Sequence, residues 1–165
     1  MDFTSQPDGE FQWVLQLKCH FSRYIWLYAL VDKSSTEVAQ VLRRWLSDNG
    51  HPARMCADNG GEFVGDTKDL LDQQLPPIPI INGRARHPQS QGSIEKANAT
   101  FKERLAALRV ERGIPREWVS LLPELQEVTN TTPNRALPRH MTPFEAWFGR
   151  KPHWIYPDSL PAGTE

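Results

Sequence analysis

Phe11-Gln12-Trp13-Val14-Leu15-Gln16-Leu17-Lys18-Cys19 is followed, after His20-Phe21-Ser22-Arg23, by Tyr24-Ile25-Trp26-Leu27-Tyr28-Ala29-Leu30. In the first run Phe11, Trp13, Leu15, Leu17 and Cys19 share one parity, with mostly polar residues between them, which predicts a half-buried strand. The second run is apolar at nearly every position, which predicts a further, continuously apolar strand. Upstream, Asp8-Gly9 is a tight-turn signal, so a preceding strand holding Asp2, Phe3 and Thr4 is expected to pair antiparallel with the first.

Downstream, Ser34 and Glu37 form a capping-box pattern. Val38, Val41, Leu42, Trp45 and Leu46 then recur at helical spacing until Gly50 ends an amphipathic helix. Arg54 to Ala57 reads as a short strand delivering Asp58, broken by Asn59-Gly60-Gly61. A short helix near Thr67 to Gln74, a strand at Ile78 to Ile81 and a polar loop from Asn82 to Gly92 follow. From Ser93, the stripe Ile94, Ala97, Phe101, Leu105, Leu108 predicts a long helix closed by Gly113 and Pro115, with Glu95 in its first turn. Further helices are expected over Trp118 to about Asn130 and Pro143 to Phe148. Strands and helices in this order describe an α/β domain whose mixed sheet is covered on both faces.

The chain has 165 residues, 39% of them hydrophobic and 24% charged, enough for one domain with its own core. That domain is placed at residues 1–152, and 153–165 as a proline-containing tail or linker. Cys19 and Cys56 are expected to be two buried thiols in a reducing compartment. The five histidines have no spacing with cysteine that makes a zinc site. No apolar run approaches the ~20 residues that span a bilayer, so a soluble protein without membrane contact is expected. A formal net charge of -1 argues weakly against nucleic-acid binding. Locally, however, Arg84, Arg86, Lys96, Lys102 and Arg104 outnumber Glu95 and Glu103 around the loop and long helix. The six tryptophans are read as core or interface residues, and Glu62 and Asp66 as surface groups.

Glu95, Asn98 and Lys102 form a second, polar stripe on the long helix at i, i+3, i+7, which alone is commonly a solvated face. Asp58 at a strand's C-terminal end changes its meaning, because open α/β sheets gather ligands and catalytic groups there. Asp58-Asn59-Gly60-Gly61-Glu62-Phe63, and His87-Pro88-Gln89-Ser90-Gln91-Gly92 followed by Glu95, resemble the integrase core of retroviruses and LTR retrotransposons. Asp2-Phe3-Thr4 resembles the strand bearing that family's first aspartate, and Phe21-Ser22-Arg23-Tyr24 the segment after its second strand. Asn130-Thr131-Thr132-Pro133 and Met141-Thr142-Pro143-Phe144-Glu145 through Phe148-Gly149-Arg150 are similar to its closing signature. The interval from Asp58 to Glu95 is one residue longer than the family's usual one.

The resemblance implies a ribonuclease-H-like fold with a mixed five-stranded sheet flanked by helices. It also implies a catalytic, metal-binding triad of Asp2, Asp58 and Glu95 holding two Mg2+ ions, with Mn2+ as substitute. Three carboxylates suit two hard cations that bracket the attacking and leaving oxygens at phosphorus. The implied activity is DNA integration, as 3'-end processing and strand transfer. Lys102, Gln89, Ser90 and Gln91 match positions that meet DNA, Asn98 supports the site, and Lys96 and Arg86 belong to the same basic group. A homodimer of the core, a higher oligomer in a full-length protein and, for a eukaryotic source, a nuclear setting are expected by analogy. The alternative is a domesticated, catalytically silent DNA-binding or dimerisation module, consistent with Lys18-Cys19-His20 where relatives often carry an aspartate. A ribonuclease H of the same fold would want a fourth carboxylate, which the sequence does not identify.

Overall fold

The computed structural model describes residues 1–57, 60–82, 88–114 and 117–154, with the side chains of 82–98 and of residue 100 outside the description. The two quoted runs form β1 (Trp13–Lys18) and β2 (Ile25–Leu30), an antiparallel pair with Leu15 opposite Tyr28 and Leu17 opposite Trp26. Alternation then does what it should. Leu17, Trp26 and Leu30 join α1 (Ser35–Asn49), where Val38, Leu42, Trp45 and Leu46 are buried, together with Leu70 and Leu71 of α2 (Asp66–Asp72). Val14, Ile25 and Leu27 point the other way, onto Phe101 and Leu105 of α3 (Pro88–Arg112) and Leu122 and Leu125 of α4 (Leu122–Thr131). The unbroken apolar run of β2 is thus explained by cover on both faces. Phe11 lies outside β1 and packs with the α3 side, not with Trp13 and Leu15 as its parity suggested.

A second pair, β3 (Met55–Ala57) and β4 (Ile80–Asn82), is parallel, with Ala57 opposite Asn82. The described residues therefore hold four strands in two small sheets, where one five-stranded sheet was expected. The expected first strand is present as a single antiparallel bridge, Asp2 to Trp13, with Phe3 N donating to Gln12 O at 2.8 Å and Val14 N to Met1 O at 3.0 Å. The chain bends immediately afterwards. Asp2 Oδ1 captures the Thr4 N–H and Gln6 N donates to Phe3 O, which closes a turn and ends the pairing. Asp8-Gly9 does form the expected turn, with Asp8 bridged to Phe11 and Gly9 at φ 59°. Asp8 also accepts from the N–H groups of Trp118 and Val119 at 2.7 and 2.8 Å, tying this turn to the segment that enters α4.

Ser34 caps α1 by accepting from Glu37 N. Glu37 does not complete the box, because Asp32 Oδ1 already takes the Ser34 N–H at 2.7 Å. The Glu37 carboxylate instead binds the N–H groups of Val31 and Asp32 at 2.8 and 2.7 Å. The complete capping box is at α5 (Pro143–Phe148), between Thr142 and Glu145. Two further boundaries differ from expectation. Helix α4 begins at Leu122, after a turn at Trp118, and α3 begins at Pro88 instead of Ser93. The thiols are also more open than expected: Cys19 is half-buried, and Cys56, on the short strand β3, is exposed.

Among the described residues the outer edge of β2 has no strand beside it, yet it is not bare. Asn130 of α4, 2% exposed, accepts from Ile25 N and donates to Ile25 O, both at 2.9 Å, and Gln126 one turn earlier accepts from Leu27 N at 2.8 Å. The two amide side chains replace a neighbouring strand's backbone. Trp118 is fully buried against Phe3, and Trp26 meets Trp45 and Trp147 edge-on at 5.2 and 5.0 Å, so Trp26, Trp45 and Trp118 are core residues, with Trp147 half-buried against them. Beyond the expected boundary of the domain, Trp154 packs on Phe144 and donates to Glu127 at 2.7 Å.

Candidate active site

The bridge to Trp13 fixes Asp2 at the rim of a cleft of about 230 Å3, lined also by Trp13, Leu15, Leu30, Lys33 and Glu62. Asp2 Oδ1 accepts from both Thr4 N and Thr4 Oγ1 at 2.8 Å. These bonds, backbone first, hold the Asp2 carboxyl below its ordinary pKa, and the positive charge of Lys102 acts in the same sense. Among the described residues, Oδ2 has no hydrogen bond. An exposed, ionised carboxylate with one oxygen saturated and the other open has the donor chemistry that a hard divalent cation takes.

Strand β3 ends at Ala57, so its C-terminal end leads into Asp58, as the sequence predicts, but Asp58 and Asn59 lie outside the described residues. After them Gly60 opens a 3-10 turn at Gly61–Phe63. A Cβ on Gly60 would lie 2.2 Å from a Glu62 carboxylate oxygen, so the missing side chain makes room for that carboxylate.

Glu95 stands on α3, its side chain outside the description. With α3 starting at Pro88, Glu95 lies about two turns into the helix and not in its first turn, where the helix dipole would have favoured its carboxylate. Gln89, Ser90 and Gln91 likewise belong to the first turns of α3 and not to a loop. Their side chains, and those of Lys96 and Asn98, lie outside the description, as do Arg84 and Arg86 altogether. Lys102 is placed: it is exposed on α3, with Nζ 5.5 Å from the centre of the Phe3 ring, next in sequence to Asp2. The helix is fixed there by Phe101 and Leu105, which are buried against Phe3 and Trp118.

Sequence reasoning missed one pair. Lys33 Nζ lies 3.1 Å from Glu62 Oε1, with the Glu62 side chain only 11% exposed, so Glu62 is not the surface group expected of it. Twenty-odd residues of chain separate the two, and only the fold joins them. Among the described residues no three His, Cys, Asp or Glu side chains group to hold a metal ion, and two of the three proposed ligands lie beyond that description.

No family model matches the chain. It is 31% identical over 165 residues to KRAB-A domain-containing protein 2 of Homo sapiens, covering 99% of this chain and 33% of that protein. It is 32% identical over 155 residues to the Gag-Pol polyprotein of avian reticuloendotheliosis virus, covering 92% of this chain and 13% of the polyprotein. The chain thus spans a third or less of these relatives' lengths. Among solved structures, the simian T-cell lymphotropic virus intasome in complex with PP2A regulatory subunit B56 gamma superposes with a TM-score of 0.63 at 16% identity, over 81% of this chain and 51% of that one. The HTLV-2 integrase catalytic core domain in complex with magnesium, in its trimeric form, gives 0.61 at 16% identity, over 81% and 91%. The fold is therefore the ribonuclease-H-like fold of integrase cores, a mixed sheet flanked by helices. Sequence and structural homology together identify this chain as a catalytic core domain of the retroviral and retrotransposon DDE integrase family.

Proposed function

We propose that the chain is a metal-dependent polynucleotidyl transferase that processes 3' ends and joins them to target DNA. The observation that carries this is Asp2: a carboxylate held ionised by Thr4, open on one oxygen, beside Lys102 and at the rim of a cleft. Asp2, Asp58 and Glu95 would hold two Mg2+ or Mn2+ ions, which when bound supply acidity for the attacking hydroxyl and charge for the departing oxygen. In end processing a water oxygen bonds to phosphorus and the 3' oxygen leaves with a proton. In strand transfer that 3'-hydroxyl attacks a target phosphodiester, one P–O bond forming as another breaks.

Lys102 supplies a phosphate contact close to Asp2, and Gln89, Ser90, Gln91, Asn98, Lys96 and Arg86 extend the DNA-facing surface along α3 and the segment before it. Phosphate contacts of this kind set affinity and register, with little sequence preference. Assembly as a homodimer and action in a nucleus belong to the same proposal. Among the described residues no helix is long and apolar enough to cross a membrane.

A second reading is favoured by the human relative, in which a segment like this one makes up a third of a protein named for another domain. There the core would serve as a DNA-binding or self-associating module without catalysis. Disintegration of a branched DNA substrate in Mg2+ or Mn2+ separates the two. Turnover by the wild type that is lost in Asp2→Asn, Asp58→Asn and Glu95→Gln supports catalysis, whereas DNA binding without turnover under both metals supports the module.

A further inference from the structure

The strand pair β1–β2, which carries Asp2 through the bridge to Trp13, shares no backbone ladder with the pair β3–β4, which leads into Asp58, among the described residues. One connection on this side of the molecule is made by side chains at the cleft. Glu62, in the turn after Asp58, binds Lys33 at 3.1 Å, and Lys33 Nζ stands 5.6 Å from the centre of the Trp13 ring, on the residue bridged to Asp2. Both ends of this connection are braced. Val31 and Asp32 N–H groups are held by the Glu37 carboxylate and Ser34 N–H by Asp32, so the backbone around Lys33 is fixed on both sides. Glu62 is largely buried, and its carboxylate folds back into the space that Gly60 leaves open.

An exposed ion pair contributes little to stability. In this one the Glu62 side chain is only 11% exposed, and the pair spans two elements instead of decorating one helix. We propose that Lys33 and Glu62 are positioning residues: their ion pair clamps the turn at Gly61–Phe63, which follows Asp58 in sequence, to Trp13, the residue bridged to Asp2, and so tunes divalent-cation binding by the proposed triad. The inference rests on the metal-binding reading above. Neither residue needs to touch the cation or the DNA, and groups that orient metal ligands from outside commonly affect affinity by about 10- to 100-fold.

The test is Mn2+ binding by the full 165-residue chain without DNA, read from the loss of the free-ion electron paramagnetic resonance signal, with melting temperature measured in parallel. Lys33→Met and Glu62→Gln are each expected to weaken Mn2+ binding about tenfold. The double variant should be no weaker than either single one, and Lys33→Arg should retain the wild-type affinity, because each single change already opens the clamp. Wild-type affinity in both single variants, or additive losses in the double variant, would overturn the clamp while leaving the metal site standing. A Lys33→Met variant that loses DNA affinity alone, with Mn2+ binding intact, would show Lys33 to be a phosphate contact and also overturn it. If the wild type takes up no Mn2+, the metal-binding reading falls and the clamp with it.

Discussion

Replacing Asn130 by Ala removes the partner of two backbone groups on the outer edge of β2, the N–H and the C=O of Ile25, each bonded at 2.9 Å in a site where Asn130 is 2% exposed. A methyl group cannot reach either. An orphaned buried polar group costs about 1–3 kcal/mol, so the pair should cost about 2–6 kcal/mol, and 3 kcal/mol is taken as a rough value in the lower half of that range. For a domain of this size each kcal/mol lowers Tm by about 2–4 °C, which places the variant about 6–12 °C below wild type. Gln126→Ala is the graded control: it removes one bond, at a half-buried position, and should cost about 1 kcal/mol. Urea and thermal unfolding give the energies, and amide hydrogen exchange localises them, since Ile25 and Leu27 N–H groups should lose protection selectively. An Asn130→Ala protein that melts within about 2 °C of wild type, with Ile25 still protected, would refute the idea that side-chain amides serve as the missing strand.

Three other outcomes follow from the geometry. Thr4→Val keeps the backbone N–H and loses the hydroxyl, so the Asp2 titration followed by carboxyl NMR should move upward; a folded pKa held low favours the ionised form above the ordinary carboxylate pKa, and that preference is lost as pH falls through the folded value. An unmoved Asp2 titration would discount the Thr4 hydroxyl. Lys102→Ala should weaken DNA binding similarly for all sequences and lower the salt slope of log K by about one, a change that filter binding across a salt series detects or excludes. Asp8→Ala removes two charge-assisted bonds to Trp118 and Val119 N–H and should cost about 3 kcal/mol in urea unfolding, with Asp8→Asn costing less than half of that because it keeps an acceptor.

The central hairpin was legible because its rule is local: parity in β1 and an unbroken apolar run in β2 each report which faces are covered, and α1 announced itself through Ser34, its apolar spacing and Gly50. The onset of α3 was not, because residues 88–92 are polar and small and show no apolar period, although Pro88 at a first helical position is itself a start signal. The strand of Asp2 was expected from pairing across the Asp8-Gly9 turn, and the pairing exists, but the local bond from Thr4 N–H to Asp2 outcompeted a longer ladder. Asn130 stood out in the sequence as part of a signature, with no hint that it closes a sheet edge, and Lys33 with Glu62 could not be seen at all, since neither has a neighbour along the chain that marks it. Of the candidate triad, the residue types and their order came from the sequence, and the structure adds the state of Asp2.

Helix α3 is a single rod whose first packed side chain among those described is Phe101, six residues beyond Glu95. At 1.5 Å per residue the backbone bearing Glu95 stands about 9 Å along the helix from Phe101. A tilt of about 5° at Phe101 would carry Glu95 sideways by about 0.8 Å, more than the ~0.5 Å within which a constellation of reacting groups has to be held. On the proposed function, a duplex that presses on Lys102, next to Phe101, would therefore be felt in the position of Glu95.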